Sequence, residues 1–223
     1  MTCTRSTTIR RSSSAIVALL CLSFAAQVAR ADASTDAAKA SLQVTVDQVL
    51  AVLNDKSLDQ PARLKKLEQV ALDRFDFPRM TLLVLGKNRG QLSPEQLREF
   101  QEEFKTHLSL TYGKQIERYT SNEKIQIGEA RAESNKDVTV RSTIVGGAAG
   151  DGLRIDYRLR DDAGDWKIID VVPEGVSLVQ NFRSQVQEIV TQKGVGQLIQ
   201  TLRDKNAARQ KQEQQQPGGG NAN

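Results

Sequence analysis

The chain has 223 residues, with 31 Lys and Arg against 27 Asp and Glu, one His, two Cys and a hydrophobic share of 39%. That length suits one domain, or one domain with a helical annex. One histidine and two cysteines leave almost no raw material for a zinc site or a Ser-His-Asp triad.

The first 31 residues are set apart from the rest. Arg5, Arg10 and Arg11 make a basic start, Ala15 to Ala29 an apolar run, and Ala29-Arg30-Ala31 a small-x-small cleavage site. This is the pattern of a signal peptide over 1–31, with Asp32 as the mature N-terminus. The apolar run is short for a membrane span. Bulky Leu20 before Cys21 argues against lipoprotein processing. Arg5, Arg10, Arg11 and Arg30 carry the whole surplus of four positive charges, since 31 − 4 leaves 27 basic against 27 acidic residues. The basic balance is therefore no nucleic-acid footprint. Cys3 and Cys21 leave with the same segment, so no disulfide is expected. A net charge near zero predicts partners that read shape and dispersed charge rather than a basic patch.

From Asp32 to about Arg74, Leu42, Val46, Val49, Leu50 and Leu53, then Leu64, Leu67 and Ala71, keep helical spacing. Asn54 to Pro61 breaks them into two helices. Phe75–Gly86 holds the continuous apolar run Leu82 to Leu85, so a helix there is buried all round or faces an apolar ligand. Ser93-Pro94-Glu95-Gln96 is a capping box opening a long helix. Its stripe is Leu97, Phe100, Phe104, Leu108, Tyr112, Ile116 and Tyr119.

Four strands follow. Ile125 and Ile127 mark the first, and Val138, Val140 and Ile144 the second. Gly146-Gly147-Ala148-Ala149-Gly150 connects to the third, without the Lys-Ser/Thr and helix of a phosphate loop. Leu153, Ile155, Tyr157 and Leu159 alternate on the third strand, and Trp166 and Ile168 on the fourth. The turn Asp161–Asp165 makes this pair a hairpin. Ser177 and Gln180 repeat the capping-box spacing for a helix ending at Gly194, and Val195, Leu198, Ile199 and Leu202 stripe a last one. From Ala207 the sequence has nothing to bury and reads as a disordered tail over 207–223.

Three side chains are candidates for catalysis. His107 lies one position off the apolar stripe and reads as a boundary residue. Asp156 alternates opposite Ile155 and Tyr157, toward a solvated or ion-paired role. Asp170 follows Ile168 on the Trp166 face and is the better candidate general base. No catalytic set and no metal site assembles from these residues.

The stretches DYRLR, Gly-Asp-Trp-Lys, Asp170-Val171-Val172 and EGVSLV with Asn181-Phe182-Arg183-Ser184-Gln185 resemble the MlaC family. So do LVLGKNRGQLSPEQLREFQEEFKTHLSLTYG and the closing GVGQLIQTLRDKN. Pro173 departs from the family pattern, which usually has an apolar residue or alanine there. The resemblance implies an α+β domain over 32–206, in which a highly curved four-stranded antiparallel sheet wrapped by helices encloses an apolar lipid pocket. It implies a periplasmic phospholipid carrier, also described as a toluene-tolerance or ABC-transporter auxiliary protein. Such a carrier shuttles lipid between an outer-membrane lipoprotein–porin complex and an inner-membrane MCE-domain ABC transporter to maintain outer-membrane lipid asymmetry. It is not an enzyme, takes no cofactor beyond its phospholipid cargo, and binds no nucleic acid.

On that reading the expected pocket wall is drawn from four groups. These are Leu82, Leu83 and Leu85; then Phe100, Phe104, Leu108, Tyr112 and Ile116. The strands give Val140, Ile155, Tyr157, Ile168 and Val172, and the following helix gives Val179, Phe182 and Val186. The alternatives are a small-molecule enzyme on a cone-shaped α/β fold and a structural adaptor that binds no ligand.

Overall fold

A computed structural model describes residues 13–117, 123–134, 136–147 and 152–215, with no side chains described for 13–33, 113–117 and 213–215. Tyr119, the connection at 148–151 and the end of the tail lie outside the described residues, as do the first 12.

Helix α1 spans Ser13–Asn54 and α2 spans Gln60–Arg74. Asp59 caps α2 by accepting from the Ala62 amide, and Pro61 sits in its first turn, where a missing N–H costs nothing. Asp76 caps α3, Phe77–Leu85, in the same way through the Arg79 amide. A short 3₁₀ segment, Gly86–Gln91, leads to α4, Pro94–Glu117. The expected capping box forms: the Gln96 amide donates to Ser93 Oγ at 3.2 Å, and the Ser93 amide to Gln96 Oε1 at 2.9 Å.

The sheet runs in chain order: β1 Lys124–Ala132, β2 Asp137–Val145, β3 Leu153–Asp162 and β4 Asp165–Pro173, all antiparallel. The β3–β4 hairpin turns on Ala163 and Gly164, both at positive φ, the backbone twist that tight hairpins favour. Asp161 fixes this turn by accepting from the Gly164 amide at 2.6 Å. Pro173 ends β4, which among the described residues pairs with β3 alone apart from a bridge between Phe75 and Ile168. An edge strand tolerates its missing donor. Helix α5 is Leu178–Lys193, and α6 is Leu198–Gln215.

That last helix overruns the expected start of the tail at Ala207. Residues 207–215 carry no Gly or Pro to stop it, and Arg209 donates to Thr111 Oγ1 on α4. Helix propensity and one anchor suffice where no apolar stripe exists.

Two hydrophobic bodies result. Ala38, Leu42 and Val46 of α1 lie across Val138, Val140, Leu159, Trp166 and Ile168 of the sheet. The other body is helical, built from α3 to α6 around Phe100, Phe104, Val84 and Leu198. Phe75 packs against both.

Candidate functional site

The apolar face of the sheet is covered unevenly. Along β3 on that one face, Leu159 is buried, Tyr157 and Ile155 are half-buried and Leu153 is exposed. Ile125, Ile127 and Val171 flank the half-buried positions. On the helical side, Leu83, Leu97 and Leu108 are half-buried against their own core. These residues leave apolar surface unspent, and no acid–base pair stands among them. Burial of the Tyr157 phenol pushes its pKa up to about 12, so it is neutral at any ordinary pH.

The residues expected to line a pocket divide between these regions. Leu85, Phe100, Phe104, Val179, Phe182 and Val186 are fully buried in the helical body. There Phe100 stacks on Phe104 at 6.2 Å and Phe104 meets Phe182 edge-on at 5.1 Å, geometry that rings prefer. Val140 and Ile168 are buried beneath α1. Leu83, Leu108, Tyr112, Ile155, Tyr157 and Val172 are half-buried. Leu82 is 40% exposed, so α3 is not buried all round. The Ile116 side chain lies outside the described residues.

Two assignments on β4 are corrected. The ladder shifts between Arg158 and Leu159: Leu159 faces Ile168 while Arg158 faces Asp170, leaving Ile169 as the extra residue of a bulge. A bulge reverses the alternation. Asp170 therefore leaves the Trp166 face and Val172 pairs with Asp156 on the polar one, while Val171, opposite Tyr157, takes the apolar side. Asp170, only 2% exposed, accepts from Ser177 Oγ at 2.5 Å and from the Val179 amide at 3.1 Å, with Arg158 3.9 Å away. It fastens the start of α5 to the sheet and is not a free base. Asp156 is ion-paired as expected, 3.5 Å from both Arg141 and Arg154.

His107 proves more engaged than a boundary residue. Its Nδ1 lies 2.8 Å from Asn206 Oδ1, and its ring meets Phe182 edge-on at 4.9 Å. Burial, with Arg209 and Lys205 nearby, lowers its pKa, and the Asn206 bond partly opposes this.

Two open grooves flank Arg183. One of about 660 Å³ is lined by Leu85, Lys87, Asn88, Gln180, Arg183 and Gln187 among others. One of about 520 Å³ is lined by Leu82, Leu83, Gly86, Lys87, Arg89, Gly90 and Arg183. Leu82, Leu83 and Leu85 are expected at a site from the sequence; the polar lining is not. Its residues lie about ninety positions apart in sequence, and no local pattern joins them.

The sequence profile of the MlaC protein family matches residues 43–204. The chain belongs to the MlaC family. Among its relatives, a toluene tolerance protein of Pseudomonas putida is 30% identical over 108 residues, 48% of this chain and 49% of that one. The intermembrane phospholipid transport system binding protein MlaC of Haemophilus influenzae is 30% identical over 119 residues, 52% of this chain and 55% of the other. The chain thus matches about half the length of these curated relatives. A phospholipid-binding protein from Ralstonia solanacearum, solved in complex with a phospholipid, superposes with a TM-score of 0.70 at 30% identity. That match covers 78% of this chain and 98% of the Ralstonia one. The α+β architecture, helices with an open four-stranded antiparallel sheet, is accordingly the one this Ralstonia protein has. Among the described residues no helix is long and apolar enough to cross a membrane, and no cluster could hold a metal ion.

Proposed function

We propose that this MlaC-family chain is a periplasmic phospholipid carrier, exported by a signal peptide over 1–31. It moves lipid between an outer-membrane lipoprotein–porin complex and an inner-membrane MCE-domain ABC transporter, helping to maintain outer-membrane lipid asymmetry. The observation that carries this reading is the Ralstonia relative, a phospholipid-bound protein matched over 98% of its length. The partly covered apolar face around Ile155, Tyr157 and Ile127, with Leu83 and Leu108 across the helical body, supplies surface suited to acyl chains. Each buried methylene is worth about 0.8 kcal/mol, so tails alone can hold the cargo and the headgroup can stay in water. Release then requires a partner that offers a second apolar path.

Native mass spectrometry of the mature chain, residues 32–223, tests the reading. The expected spectrum shows a mass excess matching a phospholipid, which appears in an organic extract. A chain that is empty as purified and stays empty after incubation with phospholipid vesicles overturns it.

A further inference from the structure

Lys87, Arg89 and Arg183 stand on the walls of one groove, beside exposed Leu82. Among the described residues, Arg89 and Arg183 are the two arginines whose side chains make no hydrogen bond or ion pair. The others each have a partner, as in Arg79 with Asp76, Arg160 with Asp137 and Arg203 with Glu103. The rest are held likewise. Arg183 is held by shape instead. Gly86 has no Cβ, and the guanidinium fills that space, 3.0 Å from where a Cβ would be. The negative end of α3 beside it also favours a cation there. The guanidinium is thus placed with its donors unspent.

From this we infer a docking surface for an acidic segment of a protein partner, with carboxylates on Arg89, Arg183 and Lys87 and an apolar side chain against Leu82 and Leu83. Guanidinium forks match carboxylates in two-point contacts. The flanking groove along α5 adds the exposed side-chain amide of Gln180 for backbone hydrogen bonds. Concave walls fit a convex protein segment. A flat bilayer would want several projecting apolar side chains, and on these groove walls only Leu82 is an exposed large hydrophobic residue. This grouping departs from the dispersed surface charge that a near-zero net charge predicts.

The test uses the mature full chain and a short fluorescein-labelled peptide of Glu and Leu, with a Gln-for-Glu version as control. Anisotropy should show binding that needs the carboxylates and weakens between about 50 and about 300 mM salt. Hydrogen exchange should show protection in 82–90 and 180–192. The Lys87→Glu/Arg89→Glu double variant should weaken binding at least about ten-fold. A Lys56→Glu/Lys65→Glu variant on the distant α2 region, with the same change in net charge, should bind as the parent does. No peptide binding, protection elsewhere, or equal loss in both variants overturns the proposal. So does co-sedimentation with phosphatidylglycerol vesicles that only Lys87→Glu/Arg89→Glu abolishes, which would make this a membrane-binding face. Bound lipid in these variants reports on the carrier reading separately.

Discussion

The guanidinium of Arg183 on α5 occupies the space beside Gly86, 3.0 Å from the position of the absent Cβ. Gly86 ends α3 at φ 53° and ψ −123°, a backbone region that only glycine enters without strain. Gly86→Ala should cost about 2 kcal/mol by chemical denaturation. Adding Arg183→Ala should recover only part of that, since the contact goes but the dihedral strain stays. Full recovery would place the whole effect in the contact.

Asp170 gives a second expectation. It carries the Ser177 hydroxyl and the Val179 amide from a nearly fully buried position. Asp170→Ala leaves both donors without their acceptor and should lower stability by about 2 kcal/mol, with Ser177→Ala costing about 1 kcal/mol. The two losses should not add, because the residues share one hydrogen bond. Additive losses in a double-mutant cycle would mean that the two act independently.

These two contacts also show what the sequence could disclose. The β3–β4 hairpin is legible because Leu153 to Leu159 alternate and Asp161 to Asp165 carry turn chemistry. The Ser93–Gln96 capping box, the Ser177 cap on the Gln180 amide and the Asn54–Pro61 break are equally local. Simple alternation puts Asp170 and Val172 on the wrong face because the Ile169 bulge leaves no mark in the pattern. The Arg183 groove is invisible for another reason: 82–90 and 180–192 meet only in the folded chain. The helical end at Gln215 escapes a reading based on burial, because propensity and the Arg209–Thr111 contact carry that helix.

The carrier reading separates core from site. Phe104 is packed between Phe100 and Phe182, so Phe104→Ala should cost about 3 to 5 kcal/mol. Leu108 and Ile155 are half-buried at the margins. Leu108→Trp or Ile155→Trp should lower the lipid recovered per mole of protein while leaving the melting transition cooperative. Unchanged lipid in a folded variant would remove that residue from the wall.

His107 should give a pH dependence of known sign. Its folded pKa lies below the ordinary value of about 6.5, chiefly through burial,. Below that pH the unfolded chain binds a proton that the folded chain resists, so stability falls as pH drops from about 6.5 toward the lowered value and is full above it. His107→Gln should flatten the stability profile in that acid window. A profile that stays as steep as the parent's would assign the slope to other groups.

The C-terminal helix gives the last expectation. Leu198, Ile199 and Leu202 belong to the helical core, and buried Asn206 ties α6 to α4 by donating to the Glu103 carbonyl at 2.9 Å and meeting His107 Nδ1 at 2.8 Å. Truncation after Lys193 removes all of these and should abolish cooperative folding. Truncation after Asn206 keeps them and loses the Arg209–Thr111 bond and the exposed end of α6. One partly exposed hydrogen bond contributes about 1 kcal/mol, so the melting temperature should drop by a few degrees with lipid content unchanged. Truncation after Gln215 should leave both at the parent's values. If the chain ending at Asn206 melted like the parent, residues 207–215 would be helical without adding stability. If it lost its lipid while melting only slightly lower, the end of α6 would belong to the wall that holds the cargo.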